Sequence, residues 1–130
     1  MTQEEKELLL KDLCARLPYG VKVRIKGDYF YDEREPYDAI LKSEILGRLI
    51  ADVYSVKPYL RPLSSMTEEE KIELCIISYA PDEMKTIEEK LHVIKTNANN
   101  AADFYNKHHF DYRGLIPMGI ALEAKEGMYD

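Results

Sequence analysis

The fold is decided by the stretch Val21-Lys22-Val23-Arg24-Ile25-Lys26, in which apolar and cationic residues alternate strictly. A period of two is typical of a strand with one buried face, because successive side chains of a strand point to opposite sides of the sheet. We expect the three apolar side chains to face the core and the three cations to face solvent. Gly27-Asp28 supplies the turn residues that end the strand.

A helix is predicted immediately before this strand. Thr2 and Glu5 have the spacing of a capping box, in which the hydroxyl and the carboxylate each accept a hydrogen bond from a backbone N–H near the helix start. Apolar residues then recur at helical spacing until Pro18 and Gly20 end the pattern. The predicted apolar face consists of Leu9, Leu10, Leu13, Cys14 and Leu17.

The region after the strand, Tyr37–Tyr54, is rich in Ile, Leu, Val and Tyr and predicts two or three further strands, at about Asp38–Ile45 and Leu49–Tyr54. Gly47-Arg48 is its one obvious turn. The segment Lys57–Pro62 contains two prolines, which lack the N–H that a strand ladder needs, so it is excluded as a central strand. We expect it to leave the sheet as an extended or single-turn connection.

The second half of the chain is predicted to be mainly helical. Thr67–Glu70 repeats the capping-box spacing and opens a helix. Pro81–Lys95 fits a helix and a short strand equally well. A further helix is expected at about Asn100–His108, and Asp111 is placed to cap a short helix over Tyr112–Met118.

Together these elements predict an α+β fold in a single domain, residues 1–130. An N-terminal helix precedes a small antiparallel sheet of about three to five strands, for which an SH3-like arrangement is one form. Three to four helices then pack on that sheet. The first helix and the β-rich part occupy residues 1–63, and the mainly helical part occupies residues 64–130.

Composition and charge favour a cytoplasmic protein. The chain has 130 residues and a net charge of −6, which disfavours a general binder of nucleic-acid backbones. The acidic N-terminus has no signal-peptide pattern, and no apolar run approaches the ~20 residues that span a bilayer. Cys14 and Cys75 lie in apolar helical patterns and are expected to be buried, reduced thiols. We expect no membrane association and no cofactor.

Six polar and aromatic residues are candidates for binding a ligand or a partner. They are Tyr59, Arg61, His108, His109, Tyr112 and Arg113. Arg113 can hold a carboxylate or phosphate bidentately with Tyr112 as a stacking face; alternatively, Arg113 pairs with a nearby carboxylate and Tyr112 fills the core. Tyr59 and Arg61 lie between two prolines, where they either form a binding hot spot or pack inward with the arginine stem along the surface.

Neither catalysis nor a metal site is predicted. His108 and His109 are adjacent, and neighbouring residues point about 100° apart on a helix, which disfavours joint ligation of one ion. Their spacing to other ligand types matches no zinc signature. The two cysteines lack a flanking catalytic motif, and thiols buried in apolar surroundings are unreactive. No catalytic residue is therefore assigned.

Three blocks of the sequence resemble a family of short, uncharacterised bacterial proteins. The blocks are Leu10–Val21, Pro58–Glu70 and His108–Ile116, the last continued by Ala121–Ala124 and Gly127–Tyr129. The family occurs in gut anaerobes around mobile elements and has no assigned activity. The resemblance therefore implies a single bacterial domain and transfers no catalytic residue. The sequence departs from the family pattern at Pro117-Met118, where members tend to carry a charged pair.

The first function hypothesis is a non-enzymatic protein–protein interaction or regulatory module of a cytoplasmic bacterial system. Ten tyrosines favour it, because tyrosine supplies contact area at little entropic cost. The alternative is a small-ligand-binding protein or minor enzyme with a pocket near His108–Arg113. Nucleic-acid binding through Lys22, Arg24 and Lys26 is a third hypothesis that the net charge disfavours, and these cations are expected to pair with neighbouring carboxylates.

Overall fold

The fold is described by a computed structural model over residues 1–27, 35–78 and 100–129. The helices are α1 (Gln3–Arg16), α2 (Ser43–Ile50) and α3 (Glu68–Ser78), and the strands are β1 (Lys22–Gly27), β2 (Tyr37–Ile40), β3 (Tyr54–Leu60) and β4 (Leu122–Glu123). Residues 100–107 are also helical, as expected for Asn100–His108. Single 3₁₀ turns occupy Leu17–Tyr19 and Leu63–Ser65. This mixture of helices and one sheet confirms the α+β prediction.

The strands form one sheet in the order β2-β1-β3-β4. β1 lies between β2 and β3 and is antiparallel to both. β4 comes from the C-terminal part of the chain and runs parallel to β3. The expected antiparallel sheet is therefore a mixed one.

The alternation of β1 places its apolar side chains as predicted. Val21, Val23 and Ile25 have no exposed surface, and α1 covers this face of the sheet with Leu9 and Leu13. The helix begins at the predicted cap, where the Thr2 hydroxyl accepts a hydrogen bond from the Glu5 N–H at 3.1 Å. The common core is one cluster of apolar residues from these elements, α2 and β3.

The thiol of Cys14 is exposed, contrary to the prediction that it is buried, and so is that of Cys75. The residues of α1 that turn toward the sheet are Leu9, Asp12, Leu13 and Arg16. A residue directly after Leu13 is rotated about 100° from it around the helix, which carries the Cys14 side chain out of the contact. Two charged residues therefore occupy positions that the apolar pattern did not indicate.

The prediction of strands at Asp38–Ile45 and Leu49–Tyr54 is wrong over most of their length. Only Tyr37–Ile40 is a strand there, and Ser43–Ile50 is the helix α2. Leu46 and Leu49 are buried and lie three residues apart, which is helical spacing. A short apolar run permits both periods, and in this chain the contact with the core selects the helix.

The exclusion of Pro58 from a central strand is also wrong. β3 lies between β1 and β4, and Pro58 is opposite Val23 of β1. The Leu60 carbonyl accepts a hydrogen bond from the Ala124 N–H at 2.8 Å and therefore points away from β1. Because the backbone groups of residues two apart in a strand point to the same side, the Pro58 nitrogen also points away from β1. Since β4 pairs only with Tyr59 and Leu60, no ladder donor is needed from Pro58.

The segment after the 100–107 helix is a chain of turns, and the predicted helix over Tyr112–Met118 does not form. The predicted cap is nevertheless present in another form. The Asp111 carboxylate accepts hydrogen bonds from the Leu115 N–H at 2.8 Å and the Ile116 N–H at 3.0 Å. The helix-or-strand alternative for Pro81–Lys95 lies outside the described residues. No helix of the described ranges is long and apolar enough to cross a membrane.

Candidate functional site

The six candidate residues occupy separate environments. Arg61 and His108 lie beside α3, and Tyr112 and Arg113 lie against α1. Tyr59 is part of β3, and His109 stacks on Tyr129 near the C-terminus. A side chain whose polar atoms are already bonded within the protein is not available to a ligand.

Arg61 follows the end of β3 and is held by α3. Its two Nη atoms donate to the two carboxylate oxygens of Glu70 at 2.8 and 2.7 Å, and its guanidinium lies 4.2 Å from the centre of the Phe110 ring. The Thr67 N–H donates to Glu70 at 3.0 Å, and the Glu70 N–H donates to the Thr67 hydroxyl. The Arg61 hydrogen bonds, despite the partial burial that opposes them, lower the pKa of Glu70 to about 2. Arg61 thus ties β3 to the capping box of α3.

His108 lies beside the same carboxylate. Its Nδ1 is 3.6 Å from an oxygen of Glu70, and its Nε2 is 3.8 Å from an oxygen of Glu73. A cleft of about 480 Å³ runs past Arg61 and His108 to the C-terminal residues 123–129. Among the described residues, no group of three or more His, Cys, Asp or Glu side chains could hold a metal ion.

His109 is buried and faces a different neighbour. Its backbone has a φ of 63°, in the left-handed region that non-glycine residues occupy rarely. Its ring stacks on that of Tyr129 with centroids 3.9 Å apart, and its Nδ1 is buried without a hydrogen-bond partner among the described residues. The Tyr129 hydroxyl in turn donates to the Tyr59 carbonyl at 2.7 Å and accepts from the Lys22 N–H at 2.9 Å. His109 therefore helps to fasten the C-terminal segment to the sheet.

Acidification is expected to destabilise the fold through His109. Burial lowers the pKa of this ring to about 4, assisted by the charges of Arg16, His108, Arg61 and Lys22. The folded ring therefore stays neutral while the unfolded chain takes up a proton near the ordinary pKa of ~6.5. Because the unfolded state then binds more protons, the free energy of unfolding falls as the pH drops from about 6.5 to about 4. The expected loss is about 2 kcal/mol after allowance for solvent screening.

Urea denaturation at pH 7 and pH 4.5 checks this loss in the wild type and in His109→Asn. Asparagine tolerates the left-handed backbone at this position and does not titrate, so the variant isolates the ring. We expect the stability of His109→Asn to depend less on pH over this interval. An identical pH dependence in both proteins would show that other groups carry the acid sensitivity.

Tyr112 and Arg113 belong to a charged cluster on the inner side of α1. Arg113 Nε donates to Asp12 Oδ1 at 3.1 Å, and Arg16 Nε donates to Asp12 Oδ2 at 2.9 Å. Arg16 also donates to the Phe110 carbonyl. The guanidinium of Arg113 lies over the Tyr112 ring, 4.7 Å from its centre. Arg113 is thus committed to a buried carboxylate, which was the alternative to ligand binding.

Asp12 and Arg16 were not predicted as part of any cluster, although both side chains are fully buried. Their separation of four residues places them on one face of α1, and this spacing was the available signal. The residues that complete the cluster come from the far end of the chain. Arg113 contacts α1, His108 contacts the carboxylates of α3, and the cleft beside His108 is not lined by Arg113. His108 and Arg113 therefore do not share one pocket.

The outer face of the sheet is a second polar surface. Its residues are Lys22, Arg24 and Lys26 of β1, Asp38 and Ile40 of β2, Ser55, Lys57 and Tyr59 of β3, and Leu122 of β4. Arg24, Lys26, Asp38, Ser55 and Lys57 are exposed. The three cations that the sequence placed on this face are joined by Lys57, which the strand register sets directly opposite Arg24.

One carboxylate of this face is shared by several partners. Asp38 accepts a hydrogen bond from the Tyr59 hydroxyl at 2.8 Å, and its oxygens lie 3.9 Å from Arg24 Nη1 and 3.6 Å from Lys125 Nζ. Arg24 Nη1 in turn donates a hydrogen bond to the Tyr59 hydroxyl at 3.4 Å, and this hydrogen bond is the main reason that the pKa of Arg24 is raised above its ordinary value. Tyr59 itself is 2% exposed, with Lys125 Nζ lying over its ring, so it offers no ring surface.

Among the remaining cations of this face, Lys22 donates from its Nζ to the Met128 carbonyl at 2.6 Å, whereas Lys26 and Lys57 have no carboxylate partner among the described residues. No carboxylate of the described ranges lies within ion-pair distance of Lys26 or Lys57, so the expected pairing with neighbouring acids is found only for Arg24. A groove of about 410 Å³ runs between these residues, lined by Arg24, Lys26, Pro36, Ser55, Lys57 and Leu122. The groove combines exposed positive charge with an apolar patch.

Comparison of the chain with models of known protein families, with curated proteins and with solved structures found no match.

Proposed function

We propose that this protein is a non-enzymatic module that works through protein–protein contact, and that the outer face of the sheet is its contact surface. The observation that carries the proposal is the contrast between the two faces. The inner face is covered by α1 and the apolar core, whereas the outer face leaves Lys26 and Lys57 exposed and without ion-pair partners in the described part of the chain. Unpaired like charges held on one rigid surface attract a partner of opposite charge.

The alternative is a small ligand in the cleft beside Arg61 and His108. Its volume of about 480 Å³ suits a small molecule. However, the guanidinium of Arg61 already makes two hydrogen bonds to Glu70, and a ligand carboxylate or phosphate would have to displace that partner. The sheet face requires no such displacement, and for this reason we favour it.

We further propose that the module acts in the cytoplasm, as part of a bacterial regulatory system. Support for the compartment comes from Cys14 and Cys75, which are both free and exposed. Unpaired thiols are usual for proteins kept in a reducing compartment. The bacterial assignment rests on the sequence resemblance of the Pro58–Glu70 and His108–Ile116 blocks.

Photo-crosslinking in cells that produce the protein at its natural level tests the contact surface. A photoreactive p-benzoyl-phenylalanine replaces Ser55, which is exposed on the outer face opposite Lys26, or Glu7, which is exposed on α1. We expect a discrete crosslinked protein band from the Ser55 position that is absent from the Glu7 position. A matching pattern at both positions, or no band at Ser55, would refute this contact surface.

A further inference from the structure

We infer that the partner bound by the outer face is an acidic protein segment, which sets carboxylates against Lys26 and Lys57 and an apolar side chain against Leu122. This inference rests on the proposed function and adds the chemistry of the partner to it.

The charge of the face is opposite to that of the whole protein. The chain carries a net charge of −6, yet among the described residues the outer face offers one carboxylate, Asp38, to five cations. Four of these cations belong to the strands, namely Lys22, Arg24, Lys26 and Lys57, and the fifth, Lys125, follows β4 and lies beside Asp38. A local field of this sign raises the concentration of anionic partners near the face and steers their approach.

The strand register keeps a repulsive pair on this face. Lys57 lies directly opposite Arg24, and like charges in that position destabilise a sheet. Arg24 is partly compensated by Asp38 on its other side, whereas Lys57 is not. An external carboxylate placed between the two strands would remove the repulsion and would therefore bind more favourably than it would to an isolated lysine.

The groove between these cations accommodates a protein segment. It measures about 410 Å³, and Leu122 and Pro36 supply its apolar lining. Burial of a single aliphatic side chain there would favour binding, because it removes apolar surface from water. An extended segment whose apolar residue is flanked by Asp or Glu satisfies both the lining and the surrounding charge.

The features of the face favour an acidic protein segment over a nucleic acid. Single-stranded nucleic acids bind by stacking their bases on exposed aromatic rings, but Tyr59 is the aromatic residue of this face in the described strands and is buried. Its hydroxyl is also occupied by Asp38. A phosphate backbone that extends past this face would meet the negative charge of the rest of the protein, whereas a short acidic segment would contact the cationic face alone.

Selection of 12-residue peptides from a random display library on the immobilised full chain tests the inference. We expect enrichment of Asp and Glu on either side of an apolar residue. The Lys26→Glu/Lys57→Glu variant should lose this enrichment, and fluorescence anisotropy of a selected peptide should show at least tenfold weaker binding. The Lys11→Glu/Lys107→Glu variant makes the same change in net charge at exposed helical positions and should bind within about threefold of the wild type, since rim charges distant from a contact contribute little.

Three outcomes would overturn the inference. The first is selection without enrichment of acidic residues, the second is equal weakening by both charge-reversal variants, and the third is tighter binding of a 12-nucleotide oligouridine than of the selected peptide. The proposed function fails separately. A crosslinked partner at Ser55 combined with any of these outcomes would retain the contact surface and exclude only the acidic segment, whereas no crosslink at Ser55 would exclude the surface itself.

Discussion

Replacing Asp12 with alanine is expected to lower the free energy of unfolding by about 3–5 kcal/mol, the range found when one partner of a buried ion pair is removed. Asp12 and Arg16 have no exposed surface, and Asp12 receives hydrogen bonds from both Arg16 and Arg113. Without the carboxylate, Arg16 keeps one hydrogen-bond acceptor among the described residues, the Phe110 carbonyl. Urea denaturation followed by circular dichroism measures the change.

The matched control is Glu4→Ala, which removes an exposed carboxylate from the same helix and should change stability by less than about 0.5–1 kcal/mol. The double variant Asp12→Leu/Arg16→Met removes both charges and restores apolar contacts, so it should be more stable than Asp12→Ala alone. A double variant that is less stable than Asp12→Ala would show that Arg16 stabilises the fold even without its carboxylate partner, through the Phe110 carbonyl and the Tyr112 ring. A loss below about 1 kcal/mol in Asp12→Ala would contradict the burial itself.

The parts of the fold that were predictable from the sequence depend on short-range periods. The alternation of Val21–Lys26 identifies a strand and both of its faces, because a strand's side-chain period is fixed by backbone geometry. The Thr2 and Thr67 caps are equally local, since each involves a neighbour three residues away. In contrast, Ser43–Ile50 has a short apolar run that suits either period, and only packing against the core decides between them.

The candidate site was less predictable because its contacts join distant parts of the chain. Arg113 and Asp12 are 101 residues apart, so the sequence suggested a carboxylate partner for Arg113 without identifying it. Lys57 lies opposite Arg24 on the outer face because β3 pairs with β1. Pro58 argues against a central strand in this segment, so this pairing was not predicted. The three cations of β1 were visible from the sequence, but the fourth cation and the groove depend on this pairing.

Truncation of Phe110 to alanine is expected to have an effect of similar size, about 3–5 kcal/mol, because a large aromatic side chain leaves a cavity in a packed interior. Phe110 is fully buried and lies where three parts of the chain meet. It bridges Arg61 at the end of β3, its carbonyl accepts from Arg16 of α1, and its N–H donates to the Tyr105 carbonyl of the 100–107 helix at 2.9 Å. Differential scanning calorimetry and urea denaturation both report the loss.

Phe110→Leu separates the volume of the ring from its attraction for the Arg61 guanidinium, which lies 4.2 Å from the ring centre. Leucine retains most of the apolar contact, so this variant should lose clearly less stability than Phe110→Ala. A double-mutant cycle with Arg61→Met then isolates the interaction of the ring with the guanidinium. We expect a coupling energy of about 0.5–2 kcal/mol, the range for cation–π contacts from exposed sites to desolvated ones. A coupling near zero would mean that the ring stabilises this junction by its volume alone. In that case the position of Arg61 would depend on its two hydrogen bonds to Glu70, and Glu70→Gln should then release it.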